Sequence, residues 1–498
     1  MPDALLTAFG LVFDPYVLAV IAGASIFGLF VGAIPGLTAT MATALLVPVT
    51  FFMEPVPAIA AIVTATAMAI FAGDIPGCLV RMPGTPASAA YTDEAYAMTR
   101  KGQAEVALGA GLVFSVLGGI FGSVVLVLAA PALAEVALRF SSFEYFWLVA
   151  LGLTCAVFIS TNDPLKGLIS LFLGLGVSLA GLDNPSGYPR LTFGSTELLG
   201  GVSFIPAMIG MFAVSEIIRW ASEPDAPAFK VQRSIGNVFT GMWKMTVAYR
   251  WPLVRGSTVG TLIGALPGAG ADIAAWISYA MSKRLSKTPE KFGTGHPEGI
   301  VESGASNNAA LSGAWIPALV FGIPGDSITA IVIGVLYMKG MNPGPTIFMN
   351  NAPQLYAVFI VFFLANLLMV PFGWAAIKAA KQILRMPRNI MMPIILLFCI
   401  VGAFAINNTA AGVTIMLVFG IVAFLMESNG FPVAPAILGM VLGALLEDTF
   451  VSSMIKADGS LLGFFSRPIS ATLGVAAILV WFAPLLMRTL RRWQAPAA

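Results

Sequence analysis

Charge is what this chain has least of. Asp, Glu, Lys and Arg make up 10% of its 498 residues, against about 25% in soluble proteins. Histidine occurs once, as His296, and cysteine three times, as Cys78, Cys155 and Cys399. The cysteines stand in apolar surroundings without metal-ligand spacing and read as core residues. His296 falls in the polar stretch 283–298 and reads as a loop residue, since catalytic zinc needs about three protein ligands. No HExxH or GxSxG sits at membrane depth. An intramembrane enzyme, which needs a convergent nucleophile, base or metal set, is therefore disfavoured. The net charge of +2 is too near zero to suggest a nucleic-acid partner. The start of the chain has no basic n-region, so no cleaved signal peptide is expected, and the first long apolar segment is expected to stay in the membrane.

What the chain has in excess is hydrophobic sequence, 58% of residues. Charge-free runs cover 15–53, 106–134, 340–377, 389–426, 428–446 and 468–487, and about 20 apolar residues cross a bilayer core. Barrels do not carry such runs. The expected fold is all-α, a polytopic integral membrane protein of about 12 transmembrane helices. The composition shifts between 219 and 255, where Arg219, Lys230, Arg233, Lys244, Arg250 and Arg255 gather. This stretch reads as a basic linker, partly on the membrane surface, between a first half (1–218) and a second half (256–498).

The stretch Glu302–Met338 organises the second half. An apolar run without charge carries the pair Asn307–Asn308, breaks at Pro324–Gly325, and resumes after Asp326 and Ser327. The pattern predicts two half-helices meeting at an unwound centre, which a membrane tolerates only where the break is buried in protein or lines a cavity. An earlier segment repeats it. Gly32-Ala-Ile-Pro35-Gly36 matches Gly264-Ala-Leu-Pro267-Gly268 at an offset of 232. Ile75-Pro76 and Pro83-Gly84 match Ile316-Pro317 and Pro324-Gly325 at 241, as does Tyr96 with Tyr337. The extra residues fit the 283–299 loop. Acidic residues (Asp14, Glu54) flank the first Pro-Gly segment and basic ones (Arg250, Arg255, Lys283, Arg284, Lys287) flank the second. Basic flanks favour the cytoplasm, so the two are expected to enter from opposite faces as inverted repeats, with broken helices or re-entrant hairpins. Arg488, Arg491 and Arg492 place the C-terminus in the cytoplasm.

Such breaks offer chemistry. A helix N-terminus carries about half a positive charge and free N–H groups, so breaks at Pro83–Gly84 and Pro324–Gly325 suit an anionic solute. Thr85 is placed to cap the helix after the first break and Pro86 to occupy its first turn. Arg81 lies two residues before that break and can grip a carboxylate through two parallel hydrogen bonds, or snorkel to lipid head groups. Arg81, Pro83, Gly84, Thr85, Asn307, Asn308, Pro324 and Gly325 are the expected solute residues. Unwound carbonyls at Pro35, Gly36, Pro267 and Gly268, with Ser303, Ser306 and Asp326, are the expected ion residues, because such oxygens replace the water around Na+. The competing reading of the Asn and Ser residues is helix–helix hydrogen bonding. Asp74 and Glu302 are further candidates, and Glu447–Asp448 ends an apolar span.

These residues also carry a family resemblance. The chain resembles the large membrane subunit of tripartite tricarboxylate transporters through GAIPGL (32–37), PGTPAS (83–88), RKG (100–102), GALPGAG (264–270), PEG (297–299), NNA (307–309), IPALVFGIPGDSITAIVIG (316–334), NPGP (342–345), ILG (437–439) with LLE (445–447), and FFSRPIS (464–470). The resemblance implies a permease of the bacterial inner membrane. It implies two partners, a small four-span membrane subunit and a periplasmic solute-binding protein. Uptake of citrate or another carboxylate would be driven by a Na+ or H+ gradient, with no cofactor and no ATP. No GxxxxGK[ST] occurs in the chain, in agreement. The chain departs from the family's pattern at Arg81, where Asn is usual, at Gly304, where an acidic residue is common, and at Val451 and Ser452, where a basic pair often stands. A different carboxylate from citrate is compatible with these changes.

Overall fold

The structure is a computed structural model that describes residues 2–35, 37–160, 163–182, 187–222, 236–384 and 388–494. Gly36 and the linker residues Lys230 and Arg233 lie outside the described residues. In chain order the α-helices are α1 (Pro2–Val12), α2 (Pro15–Gly32), α3 (Ala39–Phe51), α4 (Pro55–Ala72), α5 (Asp74–Val80), α6 (Pro86–Arg100), α7 (Ala104–Ala137), α8 (Ser142–Ser160), α9 (Pro164–Ser178), α10 (Phe204–Ile209), α11 (Ser215–Ser222), α12 (Met242–Ala248), α13 (Arg250–Gly264), α14 (Gly270–Leu285), α15 (Pro297–Phe321), α16 (Ser327–Met338), α17 (Ile347–Asn350), α18 (Ala352–Ile383), α19 (Arg388–Asn407), α20 (Ala410–Ser428), α21 (Val433–Lys456) and α22 (Pro468–Gln494). Among the described residues the only β pairing is an isolated bridge between Gly181 and Arg190.

Seven of these helical stretches are long and apolar enough to cross a membrane, and seven shorter apolar helices accompany them. Large apolar side chains such as Leu6, Ile26, Leu128 and Leu367 are exposed. The all-helical build and these spans make this a multi-pass membrane protein, in which such side chains face lipid.

The chain forms two compact units. One comprises 1–134 and 203–428, the other 135–202 and 429–498. In the second unit α8 and α9 pack with α21, and α8 with α22. Gly174 sits so close to Ala436 that a Cβ there would strike its backbone. Arg190 grips Glu447 through both carboxylate oxygens at 2.8 and 3.0 Å.

In the first unit two helix pairs dominate, α2 with α4 and α13 with α15. Glycine permits each approach. A Cβ on Gly28 or Gly32 would strike the backbone of Ala65 or Ala69, and one on Gly260 or Gly264 that of Ser306 or Ala310. These pairs correspond at the offsets found in the sequence, 232 for the glycines and 241 for their partners. Small residues at such crossings gain dispersion contacts that lipid tails cannot better.

The breaks also correspond. Helix α5 ends at Arg81, in the left-handed conformation (φ 59°), and α15 ends at Gly322 (φ 70°). In each, the last two N–H groups turn back, Arg81 to Gly77 and Met82 to Pro76, Gly322 to Ala318 and Ile323 to Pro317. This closes the helix in a Schellman turn. Glycine adopts that conformation without strain, whereas Arg81 carries a Cβ cost there. Each chain then restarts with a capping box, Thr85 with Ser88 for α6 and Asp326 with Thr329 for α16. The packing is reciprocal: α14 lies on α6, α3 on α16, and α4 on α15.

Candidate solute and ion site

The segment between α13 and α14 brings the two breaks together. Gly268 donates its N–H to the Gly325 carbonyl at 2.8 Å. A Cβ on Gly270 would strike the Asp326 side chain, and two residues on, Asp272 Oδ1 accepts from the Ala87 N–H of α6 at 3.1 Å. Trp276 donates its ring N–H to the Pro86 carbonyl at 3.2 Å. Tight backbone approach is again the local reason for glycine. A Cβ on Gly84 would meet Gly32 O and Gly73, and one on Gly325 would meet Gly264 O and Ala314.

Around the first break the surface is open. Arg81, Pro83, Pro86, Asp272 and Trp276 are exposed, while Gly84 and Thr85 are buried. Arg81 Nε donates to Asp93 Oδ1 at 2.8 Å, with both side chains about two-thirds exposed. Pro324 and Gly325 are buried, Asp326 is half-buried, Pro35 is buried, and Pro267 and Gly268 are half-buried.

The electrostatics differ from those of two bare helix ends. At α6 the Ala87 N–H is taken by Asp272 and the Ser88 N–H by Thr85 Oγ1 at 3.1 Å. At α16 the Thr329 N–H is taken by Asp326 Oδ1 at 2.8 Å. Both N-termini already hold a carboxylate of this chain.

Asn307 and Asn308 lie apart from the open surface, in the interior of α15 at 1% and 2% exposure. Asn307 Nδ2 donates to the Tyr91 hydroxyl at 3.3 Å, and that hydroxyl donates to Asp74 Oδ1 at 2.6 Å. Around them Asp74 Oδ2, Asn307 Oδ1, both polar atoms of the Asn308 side chain, and the hydroxyls of Ser115, Ser303 and Ser306 are buried without a hydrogen-bond partner. Among the described residues no group of three or more His, Cys, Asp or Glu side chains converges.

Two buried carboxylates have structural partners. Glu302, fully buried on α15, accepts from Arg255 Nε at 2.6 Å and from its Nη2. Glu94 accepts from the N–H groups of Gly293, Gly295 and His296 and from the Tyr279 hydroxyl, wrapping the loop before α15 around one side chain. Sequence reasoning missed Tyr91, Glu94, Ser115 and Asp272. Asp272 had a signal, a lone acid two residues past a GALPGAG break in a membrane chain. The others had none.

Two broken helices, joined through a third element in a lipid-embedded bundle and lined by buried polar groups, are the build of a membrane transport protein. Residues 17–438 match the tripartite tricarboxylate transporter TctA family. The chain belongs to that family. It is 34% identical over 466 residues to an uncharacterized 52.8 kDa protein of the TAR-I ttuC' 3'region in Agrobacterium vitis, covering 92% of each chain. It is also 34% identical over 227 residues to an uncharacterized protein of the TAR-II ttuC' 3'region of that organism, covering 45% of this chain and 94% of the relative. No solved structure matches the chain.

Proposed function

We propose that this chain is the large permease subunit of a binding-protein-dependent secondary transporter that imports a carboxylate on a Na+ or H+ gradient. The match to the family over residues 17–438, within which both breaks fall, carries the reading. A small four-span membrane subunit and a periplasmic solute-binding protein are its partners, in the bacterial inner membrane. The two halves, 1–218 and 256–498, carry one inverted repeat each across the basic linker. The paired glycine crossings, the matching Schellman turns and the reciprocal packing of α14 on α6 and α3 on α16 support that arrangement.

The solute carboxylate meets the exposed break beside Pro83, Gly84 and Thr85. Arg81 uses only Nε on Asp93, which leaves its two terminal amino groups to grip the solute. The first turn of α6 already holds Asp272, so the solute takes that turn by displacing one internal carboxylate with another. Exchange of like groups costs little charge rearrangement, and this suits a site that must also release. Pro324 and Gly325 hold the opposite break in register through Gly268.

The test is uptake of radiolabelled carboxylates into proteoliposomes holding this chain and its small partner, with the cognate binding protein outside. Saturable uptake that needs the binding protein and collapses with the ion gradient is expected. Absence of carboxylate movement under every gradient, with correctly inserted protein, overturns the reading.

A further inference from the structure

We propose that Asp74, Asn307, Ser303 and Ser115 form a binding site for a dehydrated Na+ ion in the interior of the first unit. The inference rests on the transporter reading and adds the residues that hold its coupling ion.

Asp74 opens α5 at 7% exposure, and among the described residues no Lys, Arg or His pairs with it. One oxygen, Oδ1, accepts a hydrogen bond from the Tyr91 hydroxyl and the other, Oδ2, has no partner. A carboxylate at membrane depth without a cationic partner is costly, and a bound cation would neutralise it. A proton on Oδ2 would do so, but it would leave the neighbouring neutral oxygens as they are. Asn307 Oδ1 belongs to the same amide whose Nδ2 holds Tyr91, so it lies at the edge of the Asp74–Tyr91 pair. Ser303 is one turn earlier on the same face of α15, and its hydroxyl is buried and unpartnered. On α7, Gly111 abuts Asp74, and a Cβ there would come within 3.2 Å of Oδ2. Ser115, one turn further along α7, faces Gly304 of α15 and is also unpartnered. Buried polar groups are normally satisfied. One carboxylate oxygen and several neutral oxygens, each lacking a donor, are what a hard monovalent cation stripped of water requires and what a proton does not.

The place of Tyr91 gives the site a consequence. It lies on α6, the helix whose first turn meets Asp272 and, by the reading above, the solute. A cation on Asp74 fixes α6 from the inside through the Asp74–Tyr91–Asn307 chain. Occupancy of the ion site is thereby felt at the solute site without a shared ligand.

The test is direct binding of 22Na+ to this chain, purified with its small membrane partner into nanodiscs, by scintillation proximity in choline buffer. Thermal unfolding with Na+, K+ or choline is run in parallel. Saturable 22Na+ binding is expected, with stabilisation by Na+ over K+ and choline. Asp74→Asn should lower Na+ affinity by about tenfold or more and abolish the Na+-dependent rise in Tm. Its Tm in choline should match the parent's. Gly111→Ala keeps every ligand but fills the space beside Oδ2 and should also weaken 22Na+ binding; it carries the test if Asp74→Asn does not fold. Parent protein that binds no 22Na+, or variants at 74 and 111 that bind it with parental affinity, overturn the inference. Carboxylate uptake driven by a proton gradient in protein that binds no 22Na+ would leave the transporter reading standing and remove this site. Retained Na+ binding lost in Asp74→Asn, with no carboxylate moved, would do the reverse.

Discussion

Replacing Arg255 by Met tests whether the crossing of α13 and α15 depends on charge pairing. Arg255 stands on α13 and Glu302 on α15, and their side chains are 25% and 0% exposed. Removing the guanidinium leaves a fully buried carboxylate with no cation, a loss of about 3–5 kcal/mol when a buried pair is broken from one side. Arg255 is a quarter exposed and part of its charge is already screened, so the lower end, about 3 kcal/mol, is expected. Glu302→Gln should cost less, about 1.5–3 kcal/mol for charge-assisted bonds, because Arg255 can turn to water. The double variant Arg255→Met/Glu302→Met should recover most of the loss, since apolar replacement of a buried pair is often neutral. The assay is equilibrium unfolding in detergent, run as a double-mutant cycle. The contrast is Asp93→Asn, which breaks the Arg81 pair where both side chains are about two-thirds exposed; about 1 kcal/mol or less is expected there. Equal losses from Arg255→Met and Asp93→Asn would refute the reasoning, as would a coupling energy near zero in the cycle.

Further outcomes follow from the same geometry. Gly32→Leu and Gly264→Leu each force a side chain into the backbone of the facing helix, so both should cost about 1–3 kcal/mol or more and lower the yield of folded protein similarly in size-exclusion profiles. Arg81→Gly places the residue of the matching turn at a left-handed position; thermal stability should hold or rise by about 1 kcal/mol, while the KM for carboxylate uptake rises. Asp272→Asn weakens the internal occupant of the α6 first turn, and calorimetry should find the carboxylate bound more tightly, by up to about tenfold. Glu94→Ala strips the acceptor from three backbone N–H groups and should expose 288–296 to limited proteolysis at a cost of about 3 kcal/mol.

The sequence alone determined the membrane class, the helical build and the place of both breaks. Charge-free runs of about 20 residues or more read as membrane spans, and Pro83–Gly84 and Pro324–Gly325 fall in short turns set by nearby residues, whereas Pro76–Gly77 stays within α5. The Thr85 cap was legible for a local reason: it acts on an N–H group three residues away. The repeat was legible as spacing, and the glycines at 28, 32, 260 and 264 meet their partners at the spacing read from the chain. Tertiary structure alone decided which charges meet. Asp272 caps a helix that begins at residue 86, Glu94 holds a loop near 295, and Glu302 is matched by Arg255. It also set Asn307 on Tyr91 and Asp74 in the bundle interior. Local sequence sets backbone conformation, because turn chemistry acts over a few residues. The partner of a buried polar group is set by the helix that packs against it, and no residue near it in the chain reports which helix that will be.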